Sequence, residues 1–130
     1  MVRFEIFCKT LDNLEEINRR HPPYDVVVTA GLCSLFVQCF EQSWQAMKEC
    51  LRWMGEREAD TASPRRIVKL SHEAGLIQDE SGWMKAMEER KLEIYTFNRE
   101  VADTMINDTR SLFLPLFRAL KKELAKRYEG

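Results

Sequence analysis

Apolar residues return every three or four positions along most of the chain, and a few prolines and glycines cut that rhythm into segments. Phe4, Phe7, Leu11, Leu14 and Ile17 mark one face of a helix from about Arg3 to Arg20. His21-Pro22-Pro23 stops it, because two prolines remove two backbone donors and push the preceding residue out of the helical region. Asp25 can then cap a long second helix, Val26 to Met54, closed by Gly55. Its apolar face is broad at first, with Val28, Leu32, Leu35, Phe36, Cys39 and Phe40, and narrows to Trp44, Met47, Leu51 and Met54. At about 1.5 Å per residue it runs roughly 45 Å, more than a small core needs, so part of its surface is spare.

Glu56 to Ala62 is polar, charged and without period, which predicts a linker inside one domain. Ser63-Pro64 opens a short third helix that ends near Ala74-Gly75, and Leu76-Ile77 comes next as an apolar plug. Asp79 to Gly82 reads as a turn. Trp83 begins a fourth helix with Trp83, Met84, Met87 and Leu92 inward, and Lys85, Glu88 and Glu89 toward water. Asn98 caps a fifth, whose stripe is Val101, Met105, Ile106, Leu112, Leu116, Leu120 and Leu124, with a kink or break expected near Pro115. No segment alternates as a strand does; Val26-Val27-Val28 is too short. The predicted fold is all-α, an antiparallel up-and-down helical bundle of four to five helices, with residues 1–130 as a single domain.

Composition adds limits. Apolar residues make up 45% and charged residues 32% of 130, enough for a packed core and too apolar for a disordered chain. Twenty basic and 21 acidic side chains give a net charge of -1, so no overall positive field draws in a nucleic-acid backbone. The N-terminus enters an acidic, amphipathic segment at once, which predicts a cytoplasmic protein with no membrane association. Cys8, Cys33, Cys39 and Cys50 form no CxxC pair, and neither His21 nor His72 lies near a cysteine in sequence. Cys33 and Cys39 would point about 120° apart on a helix. No metal site and no cofactor are expected, and the cysteines read as reduced core residues.

Several stretches together carry a resemblance. Phe40-Glu41-Gln42-Ser43-Trp44-Gln45-Ala46-Met47-Lys48-Glu49-Cys50-Leu51 looks like a signature helix of the form F-E-x-x-x-E/W-x-x-x-K-x-x-L. Gly55, Ser63-Pro64-Arg65-Arg66-Ile67, Ala74-Gly75-Leu76-Ile77, Trp83, and Arg90 through Asn98 come after it in order. In order and spacing the chain, from roughly Lys9 to Tyr128, resembles the nucleotidyltransferase substrate-binding protein family, a branch of the all-helical HEPN superfamily. The resemblance implies a helical bundle that forms a homodimer and pairs with a separate small nucleotidyltransferase, touching nucleotide or nucleic acid through that complex. In related HEPN proteins the two partners act as toxin and antitoxin.

The helical toxin in such pairs is a metal-independent ribonuclease with the motif R-N-x-x-x-H-x-Y. Here Arg90 matches the arginine, but Lys91 stands at the asparagine, Tyr95 at the histidine and Phe97 at the tyrosine. Such a ribonuclease needs a proton carrier near neutral pH, which imidazole supplies. A phenol titrates near pH 10, so Tyr95 would need a shift of about three units, roughly 4 kcal/mol, to act as base. Phe97 also lacks the hydroxyl that in some related toxins accepts a nucleotide from the partner enzyme. The motif is therefore degenerate, no catalytic residue is expected, and the chain reads as a non-catalytic, substrate-binding partner subunit. The alternatives are a residual ribonuclease toxin using Arg90, or a helical structural or regulatory dimer with an unknown ligand.

Glu41, Trp44, Lys48, Arg90, Tyr95 and Asn98 are the candidate binding or partner surface. Plainer roles compete with each. Arg90 would point about 140° from Tyr95 on a continuous helix, so a joint site requires the helix to end between them; otherwise Arg90 is a solvated charge. Glu41 and Lys48 could be an ordinary surface pair, and Trp44 and Trp83 read first as core. His72 reads as exposed, and the run Arg118, Lys121, Lys122, Lys126 and Arg127 as a solvated helix end favourable to the helix dipole.

Overall fold

A computed structural model describes residues 1–91 and 98–129, and among these there are helices and turns but no strand. Helix α1 spans Val2–Leu14 and passes into a 3-10 turn, Glu15–Arg19, where the apolar pattern predicts one unbroken helix to Arg20. The last turn tightens because its carbonyls find another partner: the Arg110 guanidinium donates to the Ile17 and Arg20 carbonyls at 3.0 and 3.3 Å. Ile17 is still buried, so the apolar face runs through the change of pitch.

Helix α2, Val26–Trp53, forms where Asp25 caps it, its Oδ1 accepting from the Val28 amide at 2.8 Å. Gly55 lies just beyond with φ +92°, a conformation that glycine adopts without strain. Leu32, Phe36, Cys39, Phe40, Met47 and Leu51 are buried as predicted, but Met54 lies past the helix end and is exposed. The expected linker holds a 3-10 turn, Arg57–Asp60, which Glu56 caps by accepting from the Glu58 amide and which seats Ala59 in the core. Helix α3, Pro64–Glu73, starts at a Ser63 cap and closes at Gly75, with φ +80°. Arg127 donates to the Ala74 carbonyl at 3.1 Å and so ties the C-terminal helix to the end of α3.

Helix α4, Glu80–Arg90, begins a turn before the predicted Trp83. Asp79 accepts from the Gly82 amide at 2.9 Å, so the expected turn is the cap and first turn of the helix. Helix α5, Arg99–Asp108, is capped by Asn98 and continues through a π-helical turn, Thr109–Phe113, into α6, Leu114–Glu129. Pro115 offers no N–H to the Ser111 carbonyl and its ring crowds that carbonyl; the wide turn just upstream, where the sequence predicts a kink or break, accommodates the conflict between α5 and α6. The extra residue rotates the rest of the stripe. Leu112 is 44% exposed, Leu116 only half-buried, and Phe113, Leu114 and Phe117 take the core positions.

Helix α2 is the central element, with α1, α3, α4, α5 and α6 packed on it. Phe36 stacks on Phe113 at 5.2 Å, and Trp83 meets Phe117 edge to face at 5.4 Å, joining α2, α4 and the last helix. Among the described residues α2 is the one helix long and apolar enough to cross a membrane, with mean hydropathy 1.3, but eleven of its side chains are buried in the bundle. One helical turn of α2 faces outward with small and apolar side chains: Val26 and Val27 are 76% and 80% exposed, and a Cβ at Gly31 would meet nothing within 4 Å.

Candidate functional site

Helix α4 ends at Arg90, with Lys91 as its C-cap, so the helix stops where a joint site with Tyr95 would require. Tyr95 and Phe97 themselves lie outside the described residues. Arg90 swings onto α2. Its Nη1 lies 2.8 Å from Glu41 Oε1, and its guanidinium carbon sits 5.2 Å from the centre of the Phe40 ring. The other Glu41 oxygen accepts from Trp44 Nε1 at 2.9 Å. One carboxylate therefore takes a hydrogen bond from each side: Arg90 meets Phe40 and Glu41, and Trp44, three residues past Glu41 on the same side of α2, meets the carboxylate.

This arrangement corrects the reading of Arg90 as a solvated charge, since its side chain is only 20% exposed. Nor is it an open hook for phosphate: its charge is matched by Glu41 and its face is covered by Phe40. Its Nε is buried without a hydrogen-bond partner among the described residues. Trp44 is half-buried and polar-tethered, while Trp83 is core. No imidazole among the described residues is at hand in this part of the fold. His72 Nδ1 is 3.2 Å from Glu80 at the first turn of α4, and Arg90 stands at the last turn, about 15 Å along the axis. His21 is exposed in the loop before α2.

Two predicted members belong elsewhere. Asn98 Oδ1 accepts from the Val101 amide at 3.1 Å, so it caps α5. Lys91 is exposed, 3.5 Å from Glu88. Lys48 keeps the face of Glu41 but lies about 10 Å farther along α2, in a different setting. Glu41, Gln45, Lys48 and Arg52, at helical spacing, form a polar ridge that leads from Arg90 into a cleft of about 780 Å³. Arg3 of α1 and Arg57 of the second 3-10 turn line it together with Lys48, and Trp53 forms part of its wall. That ridge is readable in the sequence; the approach of Arg3 and Arg57 is not.

Glu89 also departs from the prediction that it faces water. It is half-buried, and burial, then the hydrogen bond and negative charge of Asp108, push its carboxyl up to about 8 against a weaker pull from Lys85. Lys85 Nζ lies 3.7 Å from Asp108 Oδ2. Asp108 ends α5, a partner that helical periodicity in α4 has no means of announcing. The cysteines are free thiols; burial pushes Cys33 up to about 11 and Cys39 higher still, which leaves them protonated and unreactive. Cys8 is only half-buried, against the expectation of four core residues.

Residues 2–126 match the family described as nucleotidyltransferase substrate binding protein like. The crystal structure of ttk003001694 from Thermus thermophilus is similar throughout, with 26% identity and a TM-score of 0.72 over 95% of this chain and 99% of that one. No curated protein matches.

Proposed function

The chain belongs to the nucleotidyltransferase substrate-binding-like family, and on that premise we propose that it is the non-catalytic, substrate-binding partner of a separate small nucleotidyltransferase in the cytoplasm. The observation that carries this reading is the family match along residues 2–126. The state of Arg90 supports its non-catalytic side. A ribonuclease arginine acts by presenting its guanidinium to phosphate, whereas this guanidinium already gives Nη1 to Glu41 and lies over Phe40. The HEPN ancestry suggested by the Arg90 to Asn98 stretch is thus kept as a fold, with the arginine serving to fasten α4 to α2.

In this proposal the chain acts as a homodimer, and its partner supplies nucleotidyl transfer, in the manner of a toxin–antitoxin pair whose ribonuclease has been lost. The outward turn of α2 with Val26, Val27 and Gly31 is the favoured dimer face, because apolar side chains beside an open glycine let a second helix approach closely. Co-expression with the small nucleotidyltransferase of the same genome tests the reading. A tag on either chain should retain both through size exclusion; a nucleotidyltransferase that elutes without this chain would overturn it.

A further inference from the structure

The π-helical turn Thr109–Phe113 adds a residue to the last helix and turns apolar positions around it outward. Leu112 is 44% exposed, Pro115 and Ala119 are exposed, and Leu116 is half-buried. Spaced by three and four, these side chains form one ridge about two helical turns, or roughly 10 Å, long. The bundle itself has no use for it, because Phe113, Leu114, Phe117 and Leu120 already fill the core side of the same helix. A groove of about 240 Å³ runs beside the ridge, with Ile77, Trp83, Leu116, Ala119 and Leu120 as its apolar walls. The first turn of α4 lies against it: a Cβ at Gly82 would stand 3.2 Å from a Leu116 methyl.

The charge around the groove has one sign. Asp79 and Glu123 line it, and no lysine or arginine does among the described residues. Glu123 is shared with Arg127 at 3.0 Å, but Asp79 has no cation within 4 Å among the described residues; its Oδ1 takes only the Gly82 amide and the Ser81 hydroxyl. We propose that this ridge and groove seat an amphipathic helix of the partner nucleotidyltransferase, its apolar face along Leu112, Leu116 and Ala119 and a lysine or arginine of its flank at Asp79. A helix fits because the exposed apolar positions keep helical spacing, and Ala119 is small enough for a second backbone to come close. A basic flank fits because the rim offers carboxylates alone. The exposed turn of α2 serves the dimer, which leaves the ridge on the last helix for the other chain. The inference rests on the partner reading for the identity of that chain and deepens it by naming the surface and the chemistry that meets it.

The test uses the full chain and the purified small nucleotidyltransferase of the same genome, with affinity read by calorimetric titration and mass by light scattering. Saturable binding is expected for the parent. Leu112→Ser and Ala119→Arg change exposed positions, so each should weaken binding by about tenfold while the thermal unfolding midpoint stays within a few degrees and the dimer mass is kept. Asp79→Asn keeps a capping oxygen for Gly82 and removes the charge, so binding about threefold weaker is expected. Unchanged affinity in either Leu112→Ser or Ala119→Arg overturns the proposal and leaves the partner reading standing, whereas a parent chain that does not bind the enzyme ends both. A variant that keeps the enzyme but falls to the mass of one copy would make the ridge a contact between copies and end the proposal. An Asp79→Asn chain that binds as tightly as the parent, or more so, overturns the basic flank.

Discussion

Arg90→Ala removes the one charged side chain among the described residues that bridges the end of α4 to α2, and the size of the loss can be worked from its contacts. The ion pair with Glu41 is intermediate between surface and core, with side chains 20% and 37% exposed. An exposed pair contributes up to about 1 kcal/mol, and the solvent still reaching Glu41 keeps the value near that figure. The guanidinium over Phe40 adds about 0.5 kcal/mol. The expected destabilisation is therefore about 1.5 kcal/mol, or roughly 6 °C for a domain of this size. Glu41→Gln keeps an acceptor for Trp44 and loses only the charge, so about 0.7 kcal/mol is expected. Because both changes delete the same pair, the double variant should fall short of their sum by about 0.5–1 kcal/mol in urea unfolding. Additivity of the two losses, or an Arg90→Ala chain as stable as the parent, would refute the clamp. Under the same reasoning the parent chain should leave RNA intact without metal; cleavage that disappears in Arg90→Ala would restore the ribonuclease reading.

Other parts of the fold carry two more expected outcomes. Glu89 holds its proton more tightly folded than unfolded, so its contribution is fully present below about pH 4.5 and is lost as pH rises through about 8; Glu89→Gln should flatten the decline in unfolding midpoint across that window, and an unchanged profile would dismiss the pairing with Asp108. Val27→Asp places a charge on the exposed turn of α2 beside open space at Gly31, so light scattering should show monomer in place of dimer with helicity unchanged; a persistent dimer would move the interface elsewhere.

The helices are legible because their ends are written in local chemistry. Asp25, Ser63 and Asn98 cap the helices they precede, and Gly55 and Gly75 close those they come after, in each case through contacts within a few residues. Where the sequence misleads, an ambiguous residue or a distant one decides. The start of α4 reads late because Asp79 suits a turn and a cap equally. The last turn of α1 tightens around Arg110, far along the chain, and the π turn before Pro115 shifts the apolar stripe so that Leu112 faces out. The candidate surface shows the same division. Glu41, a candidate by sequence, does contact both Arg90 and Trp44, but Phe40 as a stacking partner and Arg3 and Arg57 as fellow lining residues of the Lys48 cleft depend on packing between helices. Asn98, a candidate binding group by sequence, caps α5 with its side-chain oxygen.

The most direct test of the partner reading is the mass of the species formed when this chain is co-expressed with the small nucleotidyltransferase of its genome. Light scattering on the eluted peak should give a mass equal to two copies of this 15.4 kDa chain plus bound enzyme, with both chains present on a denaturing gel. A peak at the mass of this chain alone, single or paired, with the nucleotidyltransferase eluting elsewhere, would contradict it.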